Sequence, residues 1–91
     1  MNPQNITLFN FNKRKNIDKV YTIDIAEDDQ GKWAVTGFYG RRGYPQKEFE
    51  VIRTKDATRA LAEYNDRIRA KTAKGYTTSI PGEEPLGLGN K

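Results

Sequence analysis

Apolar and polar positions follow two different rhythms along this chain. In the first half they alternate. Over residues 20–26, Tyr21, Ile23 and Ile25 point one way and Thr22 and Asp24 the other, the period-two mark of a half-buried strand. Residues 6–11, Ile-Thr-Leu-Phe-Asn-Phe, read as a shorter strand, and the polar, basic stretch 12–19 between the two reads as a loop. Glu27-Asp28-Asp29-Gln30-Gly31 supplies a turn, and 32–39 the return strand, so that 20–39 forms an antiparallel hairpin. Trp33 and Val35 share its inward side. Gly37, inside that strand, marks a bulge or a close backbone approach. A tight basic turn follows from Gly40 to Pro45, and 46–53 is the next strand, with Phe49 and Val51 inward.

From Asp56 the period lengthens. Ala57, Ala60, Leu61, Tyr64 and Ile68 recur at spacings of three and four, one apolar stripe on a helix. Asp56 is placed to cap it, Glu63 and Arg67 form an i,i+4 pair, and Gly75 follows Lys71 and Lys74 as the residue that ends it. Past Tyr76 the sequence turns rich in proline and glycine and cannot continue the helix. The expected architecture is α+β: a small antiparallel sheet of about four to five strands with one amphipathic helix packed on one face. The domain covers 1–77, and 78–91 reads as a flexible Pro/Gly-rich tail.

Composition narrows the chemistry. The chain has 91 residues, enough for one domain, with no cysteine and no histidine. Disulfides, thiolate nucleophiles, zinc ribbons and histidine-based triads are therefore out of reach. The one serine, Ser79, lies in the tail. No enzyme, cofactor, metal or small-molecule substrate is expected. Mean hydropathy is −0.90, and no apolar run approaches the roughly 18 residues of a membrane span. The expectation is a soluble, cytoplasmic protein without a membrane partner. Glu27-Asp28-Asp29 lacks the alternating oxygen spacing of a calcium loop and reads as a hairpin turn.

The net charge of +4 is unevenly spread. Residues 1–40 balance, with five basic and five acidic side chains, whereas 41–76 carry ten basic against five acidic. A localised basic block is the footprint of a nucleic-acid partner, although small domains also carry such charge for solubility. Within the block, Tyr39 and Arg41 lie two apart in an extended stretch and so point to the same side. A ring beside a guanidinium can stack on a terminal base or sugar and fork a phosphate. Gly40 and Gly43 would let a sugar-phosphate chain come close. The other reading of the same residues makes Tyr39 a core or edge aromatic and Arg41 and Arg42 solvated turn residues. Lys71 and Lys74 are helix-end charges first and phosphate contacts second.

The order of features resembles the WGR domain, in its bacterial Tyr-Gly-Arg form. Asp18-Lys19-Val20-Tyr21 opens a strand, an acidic-Gly hairpin follows, a strand runs into Phe38-Tyr39-Gly40-Arg41-Arg42-Gly43, and a helix closes on Lys71-Thr72-Ala73-Lys74-Gly75-Tyr76. The resemblance covers about 5–77. It implies a non-catalytic nucleic-acid-binding module, related to the regulatory WGR domain of DNA-damage poly(ADP-ribose) polymerases, with DNA as partner and strand ends or nicks near a 5′ phosphate as the feature recognised. The residues implied are Lys19, Tyr39, Gly40, Arg41 and Arg42. Tyr39 replaces the family's Trp, and Asp18 stands where polymerase copies often have Asn, bringing a carboxylate toward the implied phosphate site. The alternative function is a docking or regulatory domain that binds a protein partner or a neighbouring domain of a longer chain.

Overall fold

The computed structural model describes residues 1–80. It contains four strands, β1 (Gln4–Asn12), β2 (Ile17–Glu27), β3 (Trp33–Arg41) and β4 (Lys47–Thr54), followed by one helix, α1 (Ala57–Ala73). The strands form one antiparallel meander in the order β1-β2-β3-β4, and α1 lies across one face. This is the α+β arrangement that the two rhythms predict. Of the tail expected over 78–91, residues 81–91 lie outside the described residues.

The core forms where the alternating residues of the sheet meet the stripe of the helix. Leu8, Tyr21, Ile23, Ile25, Trp33 and Val35 are buried against Ala60 and Tyr64. Burying such side chains contributes roughly 1.5–3 kcal/mol each. Phe49, Val51, Ile52, Leu61 and Ile68 pack around that centre. At Gly37 the expected close approach is present: a Cβ there would lie 2.3 Å from the Phe49 ring, so the ring rests directly on the β3 backbone. The pairing with β4 also slips between Val35 and Thr36, which turns Val51 into the extra residue of a bulge.

Two boundaries differ from the sequence reading, and both matter for the site. The stretch 12–19 is not all loop. Only Lys13–Asn16 turns, and pairing resumes at once with Asn12 opposite Ile17 and Asn10 opposite Lys19. Likewise β3 continues through Gly40 and Arg41, so that Lys19 sits across from Arg41. At this end the sheet runs on past the apolar core. Its side chains turn polar there, and the alternation that marks the strands fades.

The helix ends are built as the sequence predicts. The Asp56 side chain accepts a hydrogen bond from the Arg59 N–H at 3.1 Å. At the other end Gly75, at φ +99°, reverses the chain: the Gly75 N–H donates to the Thr72 carbonyl and the Tyr76 N–H to the Lys71 carbonyl, each at 3.1 Å. This paired closure is the Schellman cap. The next residue, Thr77, exchanges two backbone hydrogen bonds of 2.7 Å with Phe9 on the outer edge of β1. The expected pair of Glu63 and Arg67 does not form. Arg67 instead lies over the Phe49 ring, 5.9 Å from its centroid, and Arg69 pairs with Asp66 one turn along.

Candidate nucleic-acid interface

Where the sheet outruns the helix, an open groove of about 430 Å³ forms, walled by Lys19, Tyr39, Gly40 and Arg41 from the sheet, Asn16 and Asp18 beside them, and Lys71 and Tyr76 from the end of the helix. Strand alternation accounts for most of this. Lys19, Tyr39 and Arg41 stand on the same side as Tyr21, the side that α1 covers further along. Tyr39 is 46% exposed at the boundary between core and groove, with its ring edge-on to Phe49 at 5.7 Å between centroids.

Lys71 and Tyr76 come to the groove through the helix cap. Because the chain reverses at Gly75, Tyr76 folds back beside the residue whose carbonyl it caps. The Lys71 ammonium then lies 4.7 Å from the centroid of Tyr21 and 5.4 Å from that of Tyr76, held between two rings that themselves meet edge to face. Cation–π contacts of this kind stabilise a lysine without neutralising it. Its pKa is pushed below the ordinary lysine value, first by burial and then by the positive charges of Lys74, Arg67 and Lys19.

Lys19 and Arg41 face each other directly across the β2–β3 pair. Like charges in that position are destabilising, and Lys71 adds a third cation to the same groove. Arg41 is steadied by the β1–β2 turn: its guanidinium donates to Asn16 Oδ1 at 3.1 Å and to the Asn16 carbonyl at 3.4 Å. Asn16 takes a left-handed backbone (φ 54°) to offer both oxygens, a conformation that asparagine tolerates better than most residues.

Arg42 does not join this cluster. Its guanidinium forks the Asp18 carboxylate at 2.9 and 3.2 Å, and its backbone N–H donates to the Asp18 carbonyl. The pair stands beside Phe11, which Asp18 faces across β1–β2, on the side of the sheet opposite Lys19. The Asp18 carboxylate is thus matched by a cation of its own and turned away from the groove. Gly40 leaves room that the protein itself uses: a Cβ there would meet Gln46 Nε2 at 3.2 Å and the Pro45 carbonyl at 3.3 Å. Gln46 needs that space to donate to the Arg41 and Tyr44 carbonyls and close the β3–β4 turn. A Cβ on Gly43 would meet nothing within 4 Å.

The acidic hairpin turn is occupied with its own backbone. Asp28 Oδ1 accepts from the Gln30 and Lys32 N–H groups at 2.8 and 2.9 Å, and Oδ2 accepts from Arg53. Among the described residues no three Asp, Glu, His or Cys side chains are grouped to hold a metal ion, and no helix is long and apolar enough to cross a membrane.

Asn16 and Tyr76 are the groove residues that a reading of motifs passes over. The signal for Tyr76 was the Lys-Gly-Tyr closure, since a C′ glycine returns the next residue to the helix end. For Asn16 it was an asparagine in a polar turn next to Lys19.

A family model described as WGR domain matches residues 5–83. No curated protein and no solved structure matches the chain.

Proposed function

The chain belongs to the WGR domain family, small binding domains known generally for nucleic acid rather than for catalysis, and from that premise we propose that it is a non-catalytic DNA-binding module that engages strand ends or nicks at a 5′ phosphate. The observation that carries this reading is the gathering of Lys19, Arg41 and Lys71 around one groove, two of them opposed across a strand pair at a cost to the fold. A terminal phosphate offsets that repulsion, with the Arg41 guanidinium able to fork it and the two ammonium groups supplying point charges. Tyr39, half-exposed next to them, offers a ring to the sugar or base that follows. The position of Asp18 supports the same reading, because its carboxylate is paired on the far side of the sheet.

Arg42, which the sequence adds to the contact set, is assigned instead to holding Asp18 and the turn. The contact residues are then Lys19, Tyr39, Arg41 and Lys71, with the backbone of Gly40 and the ring of Tyr76 completing the walls. The test is fluorescence anisotropy of a 5′-phosphorylated nicked duplex against a closed hairpin of the same sequence. The nicked duplex binds more tightly. Tyr39→Ala weakens it by the loss of one stacking contact, about 1–3 kcal/mol, and affects the closed hairpin less. Equal losses on both substrates would remove the stacking role. A failure to bind either at low salt would favour a docking domain.

A further inference from the structure

Beside the groove lies a second, shallower recess of about 350 Å³, lined by Tyr21, Tyr39, Phe49, Arg67 and Lys71. It shares Tyr39 and Lys71 with the groove, so one ring and one ammonium separate two compartments of different character. The groove is lined with cations and polar groups. Three aromatic rings wall the recess. Tyr39 meets Phe49 edge-on at 68°, and Tyr21 lies 6.2 Å from Phe49 at 40°. None of these rings stacks flat on another, which leaves the exposed face of Tyr39 open to a planar ring.

Tyr21 carries the strongest pointer to an occupant. It is 1% exposed, and its hydroxyl has no hydrogen-bond partner among the described residues. Buried polar atoms are nearly always paired. Burial holds the phenol above its usual pKa, and Arg67 lies near enough to offset part of that rise without closing a hydrogen bond of ordinary geometry. Tyr21 thus stays a neutral donor, in a wall otherwise made of ring faces and two cations that have no carboxylate beside them in the recess.

We propose that this recess receives an unpaired nucleobase, so that groove and recess together take a nucleoside 5′-phosphate at a strand end whose first base has left the duplex. The chemistry is matched part by part. The phosphate lies among Lys19, Arg41 and Lys71. The sugar passes Tyr39. The base lies on the exposed face of Tyr39, beside Phe49, where an acceptor on its edge takes the Tyr21 hydroxyl. A paired base cannot do this, because its face is stacked within the duplex and its edge is taken by the complementary strand. The proposal rests on the reading of the groove as a phosphate site and adds the form of the end: a 5′ overhang or flap rather than a blunt terminus. A free nucleoside 5′-monophosphate presents the same chemistry, and the experiment separates the two sources.

The full chain is titrated by anisotropy with two 5′-phosphorylated hairpin duplexes, one blunt and one with a three-nucleotide 5′ overhang. The overhang binds more tightly by roughly twofold to tenfold, the worth of one net hydrogen bond or more. Tyr21→Phe keeps the ring and the core, with its melting curve as the check on folding. It removes most of the overhang preference, read within the variant as the ratio of overhang to blunt affinity. Equal binding of blunt and overhang DNA by the wild-type chain overturns the recess while leaving the groove reading intact. Equal losses on both substrates in Tyr21→Phe also overturn it. Failure to bind either DNA overturns both readings together. Displacement of the overhang by thymidine 5′-monophosphate at equal concentration would make a free nucleotide the occupant and overturn the strand-end form.

Discussion

Two carboxylates, one in β2 and one in the turn that follows it, show how much a residue's meaning depends on where its charge is spent. Asp28 accepts two backbone N–H groups and an arginine. Its pKa is held below the ordinary 3.8, chiefly by the Lys32 N–H, because hydrogen bonds to the ionised form favour it. Asp24, between Thr36 and Asn5 in the sheet, is shifted up, first by burial and then by Glu48. The linked effects on stability have opposite signs. The Asp28 contribution is fully present above the unfolded-state pKa and is lost as pH falls through its lower folded value. Asp24 is the reverse, since its ionisation opposes folding at neutral pH. Asp28→Asn therefore lowers the melting temperature at pH 6–7, and its gap from the wild-type chain closes as both are melted toward pH 2–3. Circular dichroism melts across that range measure it. A gap of constant size would mean that the turn depends on the shape of the side chain and not on its charge. The same distinction explains Asp18, which sequence alone places beside a phosphate and the fold places opposite Arg42.

At the scale of elements, the junction of α1 with β1 is where fold and site meet. Gly75 closes the helix at φ +99°, and Lys71, in the last turn before it, and Tyr76, next after it, form one wall of the groove. Gly75→Ala strains this backbone by about 1–2 kcal/mol, the penalty of a left-handed conformation for a residue with a Cβ. Because the strain falls on the cap, relaxation moves Tyr76 away from Lys71. The variant is expected to lose that stability in urea melts and to bind nicked DNA more weakly than the melt alone accounts for when assayed well below its midpoint. Unchanged affinity in a destabilised variant would separate the cap from the site. The helix stripe, its Asp56 cap and the Gly75 closure were legible in the sequence because each is written in local spacing. The ends of β2 and β3 at Lys19 and Arg41 were less so. They extend beyond the core, where no apolar alternation reports a strand. The bond between Phe9 and Thr77 was invisible, since it joins backbone to backbone across 68 residues and asks nothing of either side chain. Lys71 reads in the sequence as a helix-end charge first and a phosphate contact second, because its position facing two rings depends on where the sheet stops.

At the scale of the whole molecule, the sheet separates two surfaces of different chemistry. On the helix side, beyond the core, stand Lys19, Arg41, Lys71 and Arg67. On the other, cross-strand neighbours place Phe9 beside Val20 and Phe38 beside Thr22, with Asp24 alongside and Asp18 held by Arg42. The net charge of +4 thus understates the field at the groove and overstates it elsewhere. This division makes a quantitative demand on binding. Each phosphate neutralised on duplex DNA releases counterions and changes the slope of log K against log salt by about −0.9. If Lys19, Arg41 and Lys71, gathered at the terminal phosphate, between them also neutralise the two phosphates that follow it along the strand, the slope is about −2.7. If the excess basic charge of residues 41–76 acted as a diffuse patch, five phosphates would give about −4.5. Titrations of nicked duplex between 50 and 200 mM salt separate these values. Lys71→Gln then provides the internal check: it lowers the magnitude of the slope by about 0.9, whereas Lys55→Gln, beyond β4 and outside the groove, leaves it where it was. Equal reductions in the two variants would mean that net charge, and not the groove, governs the encounter.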